Sequence, residues 1–347
     1  MLTWPHVREN DGQRLFLHFQ AYNDMAERLD YVDIAKGIGI VLVVCSHTDA
    51  LNLMWLFMGM FVPLFYFCSG YTFSQKGTMM ETMKKRLIKL LAPYVFFNIL
   101  MFIAFWSFSL REFIGVFYSR YCLYPLNITP NIKFLTSGNY PMWFLTSMVT
   151  TYFLFSLLIY NERFKYVITM IYAILALVFT FCPILLPWSV DTAPFTALVM
   201  YAGYESRKHE FINTKKWKML LLAVIYICLE YVGGDMNLSV RMYGTSVFIF
   251  FVLAVSGSLI VLWLSKYLQG TPIGRLFVTL GQHSLTIFCV EIAFIVMAKD
   301  IYRWALPNVE LGYIAGLGEI IIALLGGWMF SVLIHNNKIL SKIVYVA

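Results

Sequence analysis

The sequence predicts an all-α fold, a polytopic membrane helix bundle of about ten transmembrane helices with both termini in the cytoplasm. Composition is the first indication: 60% of the 347 residues are hydrophobic, only 13% are charged, and the mean hydropathy is +0.71. These values exceed what a soluble core requires and are typical of integral membrane proteins. The other two indications are the lengths of the apolar segments and the placement of the basic residues between them.

Ten apolar segments approach the roughly 20 residues that a helix needs to cross about 30 Å of hydrocarbon. We predict spans at 33–50, 53–73, 90–110, 143–160, 166–182, 192–205, 219–233, 243–265, 276–298 and 312–334. The sixth of them is the shortest. Pro63 and Pro93 are compatible with membrane helices, because neighbouring helices can satisfy the backbone groups that proline frees.

Lysine and arginine are distributed unevenly between the segments that connect the spans. With the N-terminus inside, 20 of the 26 lie on the cytoplasmic side, counting Lys36 at the inner end of the first span, and six lie outside. This asymmetry follows the positive-inside rule, and an odd number of spans would scramble it. The one long external segment, 111–142, is aromatic and polar, and it is interpreted either as a lid or as an ordered connector.

The rest of the composition excludes several other classes. The six cysteines show no spacing typical of a metal site or a disulfide framework, so no metal is expected. Residues 1–28 mix basic and acidic side chains around a short apolar run, which argues against a cleavable signal peptide and predicts a cytosolic or interfacial arm. The basic residues lie in loops of a membrane protein, so no nucleic-acid partner is expected.

The first span carries two ionisable residues. In "YVDIAKGIGIVLVVCSH" (31–47), eleven positions separate Lys36 from His47, about three helical turns plus 20°, so both side chains project from one face about 16 Å apart. Ionisable residues within a span normally face the bundle interior or a wet cavity. The alternative for Lys36 is a side chain that extends along the span and places its ammonium group at the membrane interface. The alternative for His47 is a side chain whose hydrogen bonds are satisfied near that interface. Asp33 could pair with Lys36, and Asp49 could orient His47.

Several short motifs carry a family resemblance. Lys36, ten intervening residues and His47 form the first. The others are "FYFCSGYTF" with Ser69, Gly70 and Tyr71, "KKRLIKLLAPY" with Arg86 and Lys89, "PMWFL" with Trp143, and "LGQHSLTIFCVE", which ends at Glu291. Together they resemble the membrane acyltransferase-3 family, and "DIAKGIGI" is similar to its branch of fucose 4-O-acetyltransferases. The chain departs from many relatives at Glu291, where they carry histidine.

The resemblance implies a multi-pass O-acyltransferase. Its transmembrane domain is expected to cover 29–335, between the arm 1–28 and a cytosolic tail 336–347. The resemblance further implies acetyl-CoA as a co-substrate, with no bound cofactor, and a glycan or glycolipid acceptor belonging to the cell envelope. The expected location is the bacterial plasma membrane, in contact with bilayer lipids.

Acyl-transfer chemistry assigns roles to the matched residues. Acetyl-CoA is made in the cytosol and carries phosphate groups, so its docking site should be basic and cytoplasmic. We expect donor binding by Lys36, Lys85, Arg86 and Lys89, although such a basic run is also typical of an ordinary cytoplasmic loop. A sugar hydroxyl needs a base, for which His47 with Asp49 is the candidate. Supporting roles in the structure or the site are expected for Asp33, Ser69, Gly70, Tyr71, Trp143 and Glu291.

Two other functions stay open on the sequence alone. A secondary transporter could use intramembrane ionisable groups as a proton relay, although no internal symmetry between the halves of the chain is evident. The ionisable residues within or near the spans are Glu230, His283, Glu291 and Glu319. An inactive relative could instead serve as an assembly partner for glycan synthesis, which the intact Lys36 and His47 argue against.

Overall fold

The computed structural model describes residues 30–48, 50, 54–126, 128–136, 138–305 and 312–345, so the arm 1–28 and Asp49 lie outside the described residues. Nearly all regular structure in the described part is helical, as the all-α prediction requires. The α-helices are α1 (30–46), α2 (Pro63–Tyr71), α3 (Met79–Ala104), α4 (Leu110–Tyr118), α5 (Trp143–Tyr160), α6 (Lys165–Val178), α7 (Ala193–Lys208), α8 (Lys216–Gly233), α9 (Val247–Leu268), α10 (Pro272–Gln282), α11 (Ser284–Ala305), α12 (Gly312–Asn336) and α13 (Lys338–Val344). Two short strands, β1 (Met236–Asn237) and β2 (Met242–Tyr243), pair antiparallel.

Helices lie on all ten segments predicted to span the membrane, but the ninth, 276–298, is divided at His283 between α10 and α11. Five helical segments among the described residues are long and apolar enough to cross a bilayer: Met79–Ala104, Tyr140–Tyr160, Glu162–Phe181, Val247–Leu268 and Gly312–Asn336. Many of their apolar side chains are exposed on the outside of the bundle, which suits contact with lipid tails. The chain is therefore a multi-pass membrane protein, while the count of ten spans and the cytoplasmic termini remain predictions.

The second predicted span is not one continuous helix. A 3-10 helix, Met54–Phe57, is followed by turns at 58–62, and α2 begins only at Pro63. A side chain of α8 satisfies part of the opened backbone, since Glu230 Oε1 accepts a hydrogen bond of 2.8 Å from the Gly59 N–H. Broken helices are tolerated at membrane depth where the freed backbone groups find protein partners.

The basic segment 74–89 is largely helical rather than a loop. Helix α3 begins at Met79, ahead of the predicted span, because Thr78 and Glu81 form a capping box. The Thr78 hydroxyl accepts a hydrogen bond from the Glu81 N–H at 3.3 Å, and the Glu81 carboxylate accepts one from the Thr78 N–H at 3.1 Å. Lys84, Lys85, Arg86 and Lys89 therefore lie on the first turns of α3.

Close helix packing around α1 and α2 depends on glycine. A Cβ atom at Gly70 of α2 would overlap the backbone of Met200 in α7. A Cβ atom at Gly37 of α1 would overlap the backbone of Phe277 in α10. Small residues at such crossings let membrane helices approach closely. Gly37 therefore allows α1 to pack closely against α10, and Gly70 allows α2 to pack closely against α7.

Candidate functional site

A cavity of about 570 Å³ lies at the C-terminal end of α1, on the predicted external side. We call it the outer cavity. Its wall is formed by α1, the turns before α2, the segment 111–142, the start of α5, the strand β1 with the residues after it, and α11. His47, the first residue after α1, lines this cavity.

His47 meets a buried carboxylate from α11. Its Nδ1 lies 2.8 Å from Oε1 of Glu291, whose side chain is wholly buried, while the His47 side chain is 22% exposed. The oxygen lies off the direction of an Nδ1–H bond, so the contact is an ion-pair distance rather than an aligned hydrogen bond. Catalytic pairs often come into line only when substrate is bound. Because Glu291 occupies the Nδ1 side, Nε2 is the ring nitrogen left for a ligand.

Aromatic rings form one side of the outer cavity. Tyr140 packs edge-on against His47, with ring centroids 5.6 Å apart, and against Tyr121 at 5.7 Å. Trp143, at the start of α5, lines the same cavity. Amphipathic aromatic rings offer an apolar face and hydrogen-bonding groups to a ligand.

Polar groups complete the wall of the outer cavity. Asn237 and Ser239 supply an amide and a hydroxyl from β1 and the 3-10 helix that follows it. Lys133 supplies a cation, whose Nζ lies over the Tyr121 ring, 5.6 Å from its centroid. The cavity thus combines aromatic surface with a few hydrogen-bonding groups, as sites for polar small molecules generally do.

A second cavity of about 300 Å³ lies toward the N-terminal end of α1. We call it the inner cavity. Lys36 lines it and is its one cation among the described residues, and its Nζ lies 3.3 Å from Oδ1 of Asp33. Ser69 of α2 and Gln282 at the end of α10 add polar groups. The predicted pairing of Asp33 with Lys36 is therefore present.

The other predicted donor residues lie on α3, outside the lining of the inner cavity. The guanidinium of Arg86 stacks over the ring of Tyr152, with Cζ 4.9 Å from the ring centroid. Lys85 and Lys89 are exposed. On the same helix, Leu90 does line the inner cavity, one helical turn beyond Arg86. The structure thus separates Lys36 from the basic cluster, which lies beside the cavity and not in it.

The Ser-Gly-aromatic motif has a mainly structural environment. Ser69 lines the inner cavity, and Gly70 makes the close contact with α7 described above. The Tyr71 hydroxyl lies 2.7 Å from that of Tyr31, and the Tyr71 carbonyl accepts a hydrogen bond of 3.2 Å from Arg207. These contacts tie α1, α2 and α7 together at one end of the bundle.

The model of the acyltransferase-3 family, described as an acyltransferase domain, matches residues 29–335. The chain belongs to the acyltransferase-3 family. It is therefore a membrane acyltransferase, which acts on an acyl donor and an acceptor in contact with membrane lipids. This favours the enzyme over the transporter considered from the sequence. No curated protein and no solved structure matches the chain.

Sequence reasoning on this acyltransferase missed the partner of His47. Asp49 was the expected orienting acid, and it lies outside the described residues, whereas the carboxylate found beside His47 belongs to Glu291. The available signal was the cost of a charge within a span, which required that Glu291 be paired or line a cavity. Glu291 and His47 are far apart in the sequence, so no local pattern identifies His47 as the partner of Glu291.

The acyltransferase also holds a buried ion cluster that the sequence did not reveal. Arg120 in the segment 111–142 is wholly buried and lies 2.6 Å from Oδ1 of Asp191, and Arg241 lies 2.8 Å from Oδ2 of the same carboxylate. Arg120 also donates a hydrogen bond of 3.2 Å to the carbonyl of Ser239, which lines the outer cavity. Arg120 therefore anchors the described part of 111–142 to the residues of the outer wall.

The remaining intramembrane ionisable residues have local partners. His283 Nδ1 lies 2.8 Å from the Ser331 hydroxyl, so His283 and Glu291 do not form a pair, as their helical spacing predicted. Glu319 lies 3.8 Å from Lys299. Neither the outer nor the inner cavity is lined by His283, Ser331, Glu319 or Lys299.

Proposed function

We propose that this acyltransferase moves an acetyl group from cytosolic acetyl-CoA to a hydroxyl of a cell-envelope or exported glycan in a bacterial plasma membrane. The observation that carries the proposal is that Lys36 on α1 and His47 directly after its end each line one of two adjoining cavities. Lys36 would meet the charged donor and His47 the acceptor. The similarity of "DIAKGIGI" to fucose 4-O-acetyltransferases supports a sugar hydroxyl as the acceptor.

The inner cavity suits the donor. The phosphate groups of acetyl-CoA need basic partners, and Arg86 with the exposed Lys85 and Lys89 stands on α3 next to the cavity-lining Leu90. With the phosphate groups held there, the pantetheine arm extends past Lys36 along α1. The thioester end of that arm then approaches the outer cavity from the inside.

The outer cavity suits the acceptor and the chemistry. A sugar hydroxyl is a weak nucleophile, so Nε2 of His47 accepts its proton while the oxygen bonds to the thioester carbon. Glu291 stabilises the imidazolium that results. Collapse of the tetrahedral intermediate breaks the C–S bond, the CoA thiolate leaves and takes the proton from His47, and an acetyl ester stays on the sugar.

The test is a stoichiometric assay on the full chain in lipid nanodiscs. With acetyl-CoA labelled in the acetyl group and a panel of envelope glycans, we expect free CoA thiol and labelled ester to form in equal amounts with at least one glycan. A carrier would release no thiol. Thiol release without ester on any glycan, or no reaction with any member of the panel, would contradict the proposed function.

A further inference from the structure

We propose that Val43, Val62 and Phe288 form a constriction that selects which acyl group passes from the donor to the acceptor side. The inference rests on the proposed function, because it assigns a specificity-determining role within the same reaction. The three side chains come from α1, from the residue just before α2, and from α11.

The constriction is defined by the two cavities themselves. Val43, Val62 and Phe288 are the described residues that line both the inner and the outer cavity. They therefore stand at the boundary between the two spaces. Phe288 is held in place by Phe144, a further lining residue of the inner cavity, at a ring-centroid distance of 5.2 Å and an interplanar angle of 57°.

The constriction lies about one helical turn from His47 and Glu291, on the side of the inner cavity. Val43 precedes His47 by four residues on α1, which is about 6 Å along a helix axis, and Phe288 precedes Glu291 by three residues on α11, about 4.5 Å. A thioester whose carbonyl reaches Nε2 of His47 from the inner cavity must therefore place its acyl group beyond these three side chains.

The chemistry of the constriction predicts its preference. Its side chains are all apolar, so a short apolar acyl group passes without losing hydrogen bonds, whereas an acyl group with a carboxylate loses its hydration with no partner there. A branched acyl group is wider than the pantetheine arm that must also pass these side chains, so it meets the bulk of Phe288 in a closely packed interior. The three side chains therefore select the acyl group by both its size and its charge.

The experiment measures the ratio of isobutyryl to acetyl transfer with one acceptor glycan. In Phe288→Ala we expect this ratio to rise about 10-fold or more, because a mismatch of one or two methylene groups in an apolar site is worth about 10-fold to 200-fold in discrimination. The matched control is Leu90→Ala, which removes an apolar side chain that lines the inner cavity but not the outer one. Its ratio should equal that of the wild type, even if its absolute rate falls.

A variant that is only destabilised loses both activities in proportion and leaves the ratio unchanged. Should Phe288→Ala fail to fold, Phe288→Leu retains apolar packing and should shift the ratio in the same direction by a smaller factor. An unchanged ratio in the active variants would overturn the constriction. Failure of the wild type to transfer any acyl group would instead refute the proposed function, so the two failures are distinguishable.

Discussion

Replacing Glu291 by glutamine tests whether its carboxylate supports His47 during catalysis. The substitution keeps the size and hydrogen-bonding capacity of the side chain and removes its charge. In the proposed mechanism His47 acquires a positive charge in the transition state, 2.8 Å from the carboxylate. The glutamine variant therefore loses an electrostatic interaction that is strongest when the proton is on the imidazole.

The size of the effect follows from the distance and the exposure. Coulomb's law with an effective dielectric constant of about 20 gives about 6 kcal/mol for two unit charges at this separation. Water at His47, which is 22% exposed, screens part of this interaction, and the glutamine amide compensates for another part. We expect a loss of about 2–4 kcal/mol in transition-state stabilisation, which corresponds to about a 30-fold to 900-fold fall in kcat.

The assay is steady-state acetyl transfer at varied acetyl-CoA. Since Glu291 does not line the inner cavity, KM for the donor should stay at the wild-type value while kcat falls. Glu319→Gln is the control, because Glu319 is another buried carboxylate of a predicted span, and it is paired with Lys299 rather than with His47. A Glu291→Gln protein with wild-type kcat would refute the role given to this carboxylate.

Three further predictions concern the donor, the topology and the outer wall. Lys36→Glu should raise the Kd for acetyl-CoA in a salt-dependent way, measured by calorimetry, and unchanged affinity at low salt would place the donor elsewhere. An impermeant thiol reagent should label a cysteine placed in 111–142 on intact cells but not one placed in 206–218, and the reverse would overturn the topology. Asp191→Asn should destabilise the fold by about 3–5 kcal/mol, seen as a lower Tm in detergent, because Arg120 and Arg241 lose their shared counter-charge. An unchanged Tm would contradict that.

The positions of the helices could be predicted because membrane spans are long apolar runs with a characteristic flanking charge. The break before Pro63 could not, since proline is compatible both with a continuous membrane helix and with a broken one. Which of the two forms depends on Glu230, far away in the sequence, meeting the Gly59 N–H. The capping box of Thr78 and Glu81 predicts the helical start of α3, whereas the charge of the segment favours a loop.

Only part of the candidate site could be predicted from the sequence, again because one contact joins residues that are far apart in the chain. Lys36 and His47 are related by helical spacing within one segment, so their separation along α1 follows from the sequence. The contact of His47 with Glu291 joins two helices that are distant in the chain, and no local pattern encodes it. Arg120 lies in a segment predicted to be external, and its burial against Asp191 could not be predicted because a loop sequence does not reveal its tertiary partner.

The most direct test of the account is acetyl transfer by His47→Ala at saturating acetyl-CoA. We expect the rate to fall about 10²-fold to 10⁴-fold, the usual contribution of a positioned base, with donor affinity unchanged and no rescue by further donor. His209→Ala, which removes an exposed histidine at the end of α7, should transfer at the wild-type rate. Full transfer by a folded His47→Ala protein would contradict the mechanism.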